Sequence, residues 1–368
     1  MTGPVVIAAG GTGGHLFPGQ ALAQELGRRG IRVAVITDER VAGVDLRFPD
    51  TEVFAVPSAT PSGGGVLGMA RAALPILLGI LAARKVLVGL DARLVVGFGG
   101  YPTLPPLVAA LLRKIPTVIH EQNAVLGRVN RLMAPRVTGI ASTFEAPKYL
   151  AASDVPRMTV TGNPVRDQIV AVADRPYVPS TKDAPFNLLV FGGSQGARVM
   201  SDVAPLALAQ LPPDARARLR VVQQARPEDV SRVEAVYHQA GISVDVAPFF
   251  EDMHERIANA HLVVARAGAS TVTELAVVGR PAILVPLPHA IDQDQLANAH
   301  VLSEAGGGWL IPQPEFTPDA LTAKLVSLMA DPQTLAEAAA AAKKVARRDA
   351  AARLADMVEA LALESDIG

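Results

Sequence analysis

The sequence predicts an α/β protein built as two Rossmann-like, doubly wound domains facing a cleft. Two observations carry that expectation. Short apolar runs alternate with stretches of helical periodicity along the chain, the pattern of parallel sheets flanked by helices. A strand, a glycine-rich turn and a helix start also occur together twice, at residues 5–26 and again at residues 188–206. With 368 residues, 50% of them hydrophobic and 19% charged, the chain has apolar material for two cores.

Val5-Val6-Ile7-Ala8-Ala9 reads as a buried strand. Gly10-Gly11-Thr12-Gly13-Gly14-His15 is the turn after it, and residues 20–26 have helical spacing. Residues 31–36 form the next strand and complete a βαβ unit. Further strands are expected at 53–56, at 94–96 before Gly97-Phe98-Gly99-Gly100-Tyr101, at 117–119 before His120, and at 137–141. Thr161-Gly162-Asn163-Pro164 is a breaker, and Pro176, Pro179 and Pro185 mark an extended connection. The pattern then restarts, with strands at 188–191, 219–223, 244–246, 262–265 and 283–285. The expected domains are residues 1–162 and 165–340, with a C-terminal helix, 341–368, packing back on the first. The Ala-rich stretch 336–363 reads as helical throughout, and Leu354, Met357, Val358 and Leu361 share one apolar face. Lys343, Lys344, Arg347 and Arg348 precede that face on a solvated side.

There is no cysteine, which excludes disulfides and thiolate metal sites. The first residues lack a basic stretch followed by a long apolar run, so a secretory signal is not expected and the location is taken as cytosolic. The net charge of −1 conceals an asymmetry. Residues 1–160 carry 16 Lys and Arg against 10 Asp and Glu, and the remainder carries 18 against 25. A basic half points to an anionic partner; an ordinary solvated surface is the alternative.

Gly192-Gly193-Ser194-Gln195-Gly196-Ala197 stands ahead of apolar positions 199, 203 and 206 and admits two readings. A glycine turn at a helix N-terminus gathers bare N–H groups and suits phosphate. The same residues fit G-x-S-x-G, a nucleophile elbow with Ser194 as nucleophile and Asp252 and His289 as available partners. Other phosphate chemistries fall away. The first glycine loop fails G-x-G-x-x-G because its third position is Leu16, and no G-x-x-x-x-G-K-[ST] occurs. Asp292-Gln293-Asp294 gives a D-x-D pattern, but three residues match readily by chance and no histidine pair has ligand spacing. No metal and no cofactor is expected.

Taken in order, Gly10-Gly11-Thr12-Gly13-Gly14-His15 with Phe17-Pro18-Gly19, Gly97-Phe98-Gly99-Gly100-Tyr101, His120-Glu121-Gln122-Asn123, Thr161-Gly162-Asn163-Pro164-Val165-Arg166 and Gly192-Gly193-Ser194-Gln195-Gly196-Ala197 resemble the MurG family. The match continues through Arg266-Ala267-Gly268-Ala269-Ser270-Thr271-Val272-Thr273-Glu274 and Pro288-His289 to Gln295 and Asn298, so it spans nearly the whole chain. The resemblance implies a GT-B glycosyltransferase. Such an enzyme transfers GlcNAc from UDP-GlcNAc, with inversion, to the 4-hydroxyl of the muramyl sugar of lipid I (undecaprenyl-pyrophosphoryl-MurNAc-pentapeptide). The product is lipid II, in peptidoglycan synthesis. The resemblance also implies a peripheral enzyme on the cytoplasmic face of the bacterial plasma membrane, with an anionic membrane surface as partner and no nucleic acid.

Residue roles follow from the same resemblance. Glu274 binds the ribose hydroxyls of UDP, where the residues alone read Thr271 and Glu274 as a capping box. Ala269, Ser270 and Thr271 present a helix N-terminus to the diphosphate, so that a dipole stabilises the leaving group. Gly193 and Ser194 join them, Ser194 as a hydroxyl donor. Phe250 faces the uracil; a core aromatic is the plain alternative. Arg166 neutralises phosphate or clamps the nucleotide, and Asn123 and Gln295 address the GlcNAc. Thr12, Gly13 and Gly14 receive the lipid I pyrophosphate and are counted with the donor site as well, with Gly100 and Tyr101 on the acceptor side. His15 is a candidate general base, or a histidine bonded to its own loop, and Glu121 is the second candidate base.

Residues 72–83, twelve in number and all uncharged, lie between Arg71 and Arg84-Lys85 and are interrupted by Pro75, short of the ~20 of a spanning helix. The stretch reads as a buried core helix or as a patch dipping into an anionic bilayer. The patch would comprise Leu74, Ile76, Leu77, Ile80 and Leu81 with Arg84 and Lys85, extended by Leu111-Leu112-Arg113-Lys114. The family resemblance favours it.

Overall fold

The structure is a computed structural model that describes residues 3–10, 13–39, 48, 51–60, 66–194 and 196–367. They form two compact units, one of Met1–Arg166 with Arg347–Gly368, the other of Asp167–Ala346.

In the first unit the chain runs β1 (Val5–Ala8), α1 (Gly13–Arg28), β2 (Val33–Asp38), β3 (Glu52–Val56), α2 (Val66–Gly89), β4 (Leu94–Gly97), α3 (Leu104–Leu112), β5 (Thr117–Glu121), α4 (Arg128–Met133), β6 (Gly139–Ser142) and β7 (Met158–Val160). The seven strands are parallel, in the order β3-β2-β1-β4-β5-β6-β7. Ile7 of the central strand pairs with Val35 on one side and Val96 on the other. Both faces of the sheet are covered. Val6 and Ala8 pack with Leu87, Leu107 and Val129 on one side. Val5 and Ile7 pack with Leu16 and Leu22 on the other. This double burial is why the strands read as unbroken apolar runs without polar alternation.

Two helices differ from expectation. α1 starts at Gly13 rather than near residue 20, and it contains Pro18. The buried Pro18 ring forgoes one backbone hydrogen bond but packs against the core. α2 is 24 residues long; it runs through Pro75 and past Arg84 and Lys85. Its Ala72, Gly79, Ala83 and Leu87 are buried, whereas Leu74, Leu77, Leu78 and Leu81 are exposed. Ile76 and Ile80 are half-buried against the sheet, so they belong to the inward side of the helix.

The second unit repeats the plan: α5 (Asp167–Val172), β8 (Phe186–Phe191), α6 (Arg198–Ala209), α7 (Pro213–Ala217), β9 (Leu219–Gln224), α8 (Val230–Gln239), β10 (Ser243–Ala247), α9 (Met253–Asn259), β11 (Leu262–Ala265), α10 (Ala269–Val278), β12 (Ala282–Leu284), α11 (Asp294–Glu304), β13 (Gly308–Leu310), α12 (Pro318–Ala330) and α13 (Pro332–Lys344). Its six parallel strands are ordered β10-β9-β8-β11-β12-β13, the same relative order as in the first unit. Leu188 and Val190 pack under Met200, Val203, Ala204 and Leu208 of α6 and Leu321 and Leu325 of α12. Leu206, expected on the buried face of α6, is 48% exposed. The face turned to the sheet runs through 200, 203, 204, 207 and 208 instead. The short strands β7 and β13, three residues each, have no distinct apolar run and were not anticipated.

The chain returns to the first unit through α14 (Ala350–Ile367). Residues 345–349 are not helical, so the Ala-rich stretch is two helices rather than one. Leu354, Ala355, Val358 and Ala362 are buried with Leu22 and Leu26 of α1. Arg29 pins the helix through Asp356 at 2.7 Å, Glu359 at 2.6 Å and the Ala352 carbonyl at 3.1 Å. Contact with the sheet is close: a Cβ on Gly139 would lie 2.5 Å from Met357 Cε. Leu354→Ala is therefore expected to destabilise the first unit by about 2–5 kcal/mol. A thermal-unfolding midpoint unchanged from wild type would refute this packing.

Candidate active site

In each sheet the strand order reverses beside the first strand, between β1 and β4 and between β8 and β11. Loops leaving these strands diverge, and doubly wound sheets bind ligands in the crevice so formed.

At the first switch point the turn after β1 meets the turn after β4. A Cβ on Gly10 would lie 2.7 Å from Pro102 Cβ. Gly13, Gly14 and His15 form the first turn of α1. The His15 ring lies against Gly99 and Gly100, whose φ values of +85° and +76° favour glycine. Tyr101 follows, its carbonyl accepting from Ser58 Oγ at 3.0 Å. Thr12 lies outside the described residues, as does Gln195 of the second loop. Arg166 stacks on the Phe17 ring, with Cζ 4.2 Å from its centroid.

The end of β5 supplies three buried polar residues. His15 Nδ1 is 3.3 Å from Gln122 Oε1. Gln122 Nε2 donates to the Phe98 carbonyl at 3.0 Å and the His120 carbonyl at 3.2 Å, and it lies 3.1 Å from His120 Nδ1. His120 Nε2 is 2.9 Å from the Gly162 carbonyl. Burial pushes the His120 imidazole down to about 4, only partly offset by that hydrogen bond.

Glu121 is buried and engaged on both oxygens. Oε1 accepts from the backbone and side-chain amides of Asn123 at 3.0 and 3.1 Å. Oε2 accepts from the Gly127 N–H and from Asn130 Nδ2, both at 2.8 Å. Burial pushes its carboxyl up, and the bonds from Gly127, Asn123 and Asn130 hold it back. This carboxylate organises the 121–130 loop, an arrangement unlike that of a base facing a substrate. The Asn123 amide is correspondingly directed at Glu121.

At the second switch point the 192–197 loop closes tightly. The Gly192 N–H donates to Gln224 Oε1 at 3.1 Å, and a Cβ on Gly192 would lie 2.1 Å from Ala197 N. Ser194 is exposed at the tip. The positive φ angles fall on Gly193 and Gly196, not on Ser194, and Asp252 is held by Arg256 at 2.7 Å. A strained nucleophile backed by Asp252 is therefore not what the loop builds.

α10 opens at the same switch point with Gly268 as its N-cap. The amides of Ala269, Ser270 and Thr271 are those without intrahelical acceptors. Ser270 Oγ is buried without a partner among the described residues. Because the cap is Gly268, Thr271 is the third helical residue and makes no capping box; Glu274 sits a turn further in, 7% exposed. Arg266, quoted in the family motif but given no role from sequence, is buried. It donates to the Val285 carbonyl at 3.1 Å, the Pro286 carbonyl at 3.0 Å and Gln313 Oε1 at 2.6 Å. Gln295 Oε1 accepts from Leu287 N at 3.0 Å, and Asn298 Nδ2 donates to the Ala267 carbonyl at 3.2 Å. These bonds tie the loops after β11 and β12 to the start of α11. Asp294 accepts from Gln295 N at 2.7 Å, an ordinary first-turn role.

Phe250 is 6% exposed and lies under the Arg256 guanidinium, 3.9 Å from the ring centroid. Its side chain is a core aromatic rather than an open stacking face, and the exposed neighbour is Phe249, at 61%. His120, Gln122 and Arg266 were quoted in the family motifs but given no role, and Gln224 was not singled out; beyond the motifs their signal was position, as polar residues ending apolar strand runs.

The family model for the glycosyltransferase family 28 N-terminal domain matches residues 5–142, and that for the C-terminal domain matches residues 187–354. A protein of Methylobacterium sp. (strain 4-46), named UDP-N-acetylglucosamine–N-acetylmuramyl-(pentapeptide) pyrophosphoryl-undecaprenol N-acetylglucosamine transferase, is 54% identical over 355 residues, covering 96% of this chain and 95% of its own. The chain belongs to the MurG family. It is accordingly a glycosyltransferase of the GT-B fold. A MurG relative of the same name from Granulibacter bethesdensis is 51% identical over 359 residues, covering 97% of this chain and 93% of its own. The crystal structure of Acinetobacter baumannii MurG matches with a TM-score of 0.77 at 31% identity, covering 97% of this chain and 99% of that one.

Proposed function

We propose that this chain transfers GlcNAc from UDP-GlcNAc, with inversion, to the 4-hydroxyl of the muramyl sugar of lipid I, forming lipid II. The observation that carries the reading is the 54% identity, over 96% of the chain, to a relative whose name states that donor and that lipid-linked acceptor.

In this reading the second unit holds the donor. The amides of Ala269, Ser270 and Thr271 receive the diphosphate, with Gly193 and Ser194 opposite the same charge and the unpartnered Ser270 hydroxyl as a further donor. Glu274 accepts from the ribose hydroxyls, and Gln295 turns its amide to the sugar. The uracil is met by backbone near Phe250. The first unit takes the acceptor: Thr12, Gly13 and Gly14 meet the pyrophosphate, beside Gly100 and Tyr101. His15 takes the proton of the 4-hydroxyl as that oxygen bonds to the anomeric carbon and the bond to UDP breaks. The helix N-terminus stabilises the leaving diphosphate.

The enzyme works peripherally at the cytoplasmic face of the membrane. By length and composition α2 is long enough to cross a bilayer, with a mean hydropathy of 1.8 over residues 71–89. One side of it is nevertheless packed on the first unit, where a Cβ on Gly79 would lie 2.0 Å from the Pro57 carbonyl oxygen. The opposite side exposes Leu74, Leu77, Leu78 and Leu81, with Leu112 of α3 also exposed and Arg71, Arg84 and Lys85 at the rims. That combination supports a patch lying in an anionic interface rather than a span.

Transfer of labelled GlcNAc to a lipid I analogue tests the reading. Glu274→Ala is expected to raise the KM for UDP-GlcNAc about 10- to 100-fold, the scale of hydrogen bonds to a charged group. Ser194→Ala should weaken donor use by only a few-fold, since a neutral hydroxyl bond contributes about 1 kcal/mol. No transfer to the analogue would overturn the assignment, and complete loss of activity in Ser194→Ala would return Ser194 to the role of nucleophile.

A further inference from the structure

We propose that Gln122 is a positioning residue that locks the neutral His15 imidazole in one tautomer, with the proton on Nδ1 and the lone pair on Nε2. The inference rests on the reading of His15 as the general base, and it names the atom that takes the proton.

The argument follows from donors and acceptors alone. The Gly162 carbonyl can only accept, so the His120 nitrogen 2.9 Å away, Nε2, carries a proton. His120 is fully buried and held neutral to about pH 4, so its Nδ1 is unprotonated and can only accept. Gln122 faces this Nδ1 at 3.1 Å, the Phe98 carbonyl at 3.0 Å and the His120 carbonyl at 3.2 Å. All three are acceptors, so the NH₂ group must point at them; a flipped carboxamide would set oxygen against oxygen. That orientation leaves Oε1, an acceptor, as the atom 3.3 Å from His15 Nδ1. Nδ1 must then be the protonated nitrogen of neutral His15, and Nε2 is left as the base. The lock begins at the Gly162 carbonyl and reaches His15 through two buried side chains.

Among the described residues, the surroundings of His15 do not compete with this assignment. The Gly99–Gly100 turn packed against its ring has no side chains to offer. Of the ionisable groups nearby, His120 and Glu121 on β5 are buried and committed to the bonds described, Arg166 lies over Phe17, and Tyr101 follows the turn.

The test reads the tautomer directly. In protein labelled with ¹⁵N-histidine at about pH 8.5, above the ordinary imidazole range, the His15 signals are assigned by their loss in His15→Gln. Wild type should show a protonated Nδ1 and an unprotonated Nε2; the reverse overturns the proposal. Gln122→Met keeps the volume and removes the acceptor. It should give a tautomer mixture and lower kcat roughly 10- to 100-fold, the usual effect of losing an orienting partner, with both KM values unchanged. Gln122→Glu puts a carboxyl group where the amide was; facing three acceptors in a buried position it is held as the neutral acid, its O–H donating to one of them and its other oxygen still accepting from His15 Nδ1. It should retain the tautomer and keep more of kcat than Gln122→Met. An unchanged tautomer and kcat in Gln122→Met would also overturn the proposal. Should that variant not fold, the wild-type spectrum and Gln122→Glu still decide. If His15→Gln keeps full kcat, the base reading fails instead, whatever the spectrum shows of the lock.

Discussion

Replacing His15 with alanine is expected to lower kcat about 10²- to 10⁴-fold, the contribution of a positioned general base, with little change in the KM for UDP-GlcNAc. The residual rate should come from substrate positioning and from stabilisation of the leaving diphosphate, neither of which needs the imidazole. His120 is no substitute, because it is fully buried, burial keeps its imidazole neutral down to about pH 4, and its Nε2 is committed to the Gly162 carbonyl. Glu121 is no substitute in the structure, since both of its oxygens accept two hydrogen bonds from its own loop. Retention of wild-type kcat in His15→Ala, together with an inactive but folded Glu121→Gln, would transfer the role to Glu121.

The second large effect is expected at Arg266. Its guanidinium serves two backbone carbonyls and Gln313 from a buried position. Arg266→Ala leaves these acceptors without donors in a dry site, at a cost of about 1–3 kcal/mol for each group not rescued by water. A clear fall in the thermal midpoint is expected, and with it a rise in the KM for UDP-GlcNAc, because the loops after β11 and β12 lose their common tie. Arg266→Lys should recover only part of either property, since an ammonium cannot reproduce the planar fork. The acceptor KM should be unaffected. A variant with wild-type melting and donor KM would show that the loops hold themselves in place without Arg266.

How much was legible in the sequence differs by kind of feature. The strands were, because residues such as Val5–Ala8 are buried on both faces and double burial demands consecutive apolar side chains. The glycine turns after β4 and β8 were legible as well: Gly99, Gly100, Gly193 and Gly196 have backbone angles that other residues adopt at a cost. Those signals are local, carried by a residue and its immediate neighbours along the chain. The break at 345–349 was not legible, and the start of α10 after Gly268 was legible through the family resemblance but not from residue spacing. Thr271-x-x-Glu274 is spaced as a capping box, yet the helix begins one turn earlier, where the chain leaves β11.

The remaining features were decided by packing between distant elements. Phe249 and Phe250 are adjacent and chemically identical, and only the position of Arg256 and the core beneath makes one buried and the other exposed. The exposed face of α6 at Leu206 likewise depends on how the helix is rolled on its sheet. His15 and Gln122 are 107 positions apart. Their hydrogen bond exists because the reversal of strand order at β1 and β4 brings the ends of β1, β4 and β5 to one edge. The sequence by itself determined the two parallel sheets, their glycine turns and the family. The tertiary structure decided which polar atoms face one another there, because a hydrogen bond depends on orientation and distance, and neither is a property of any one stretch of chain.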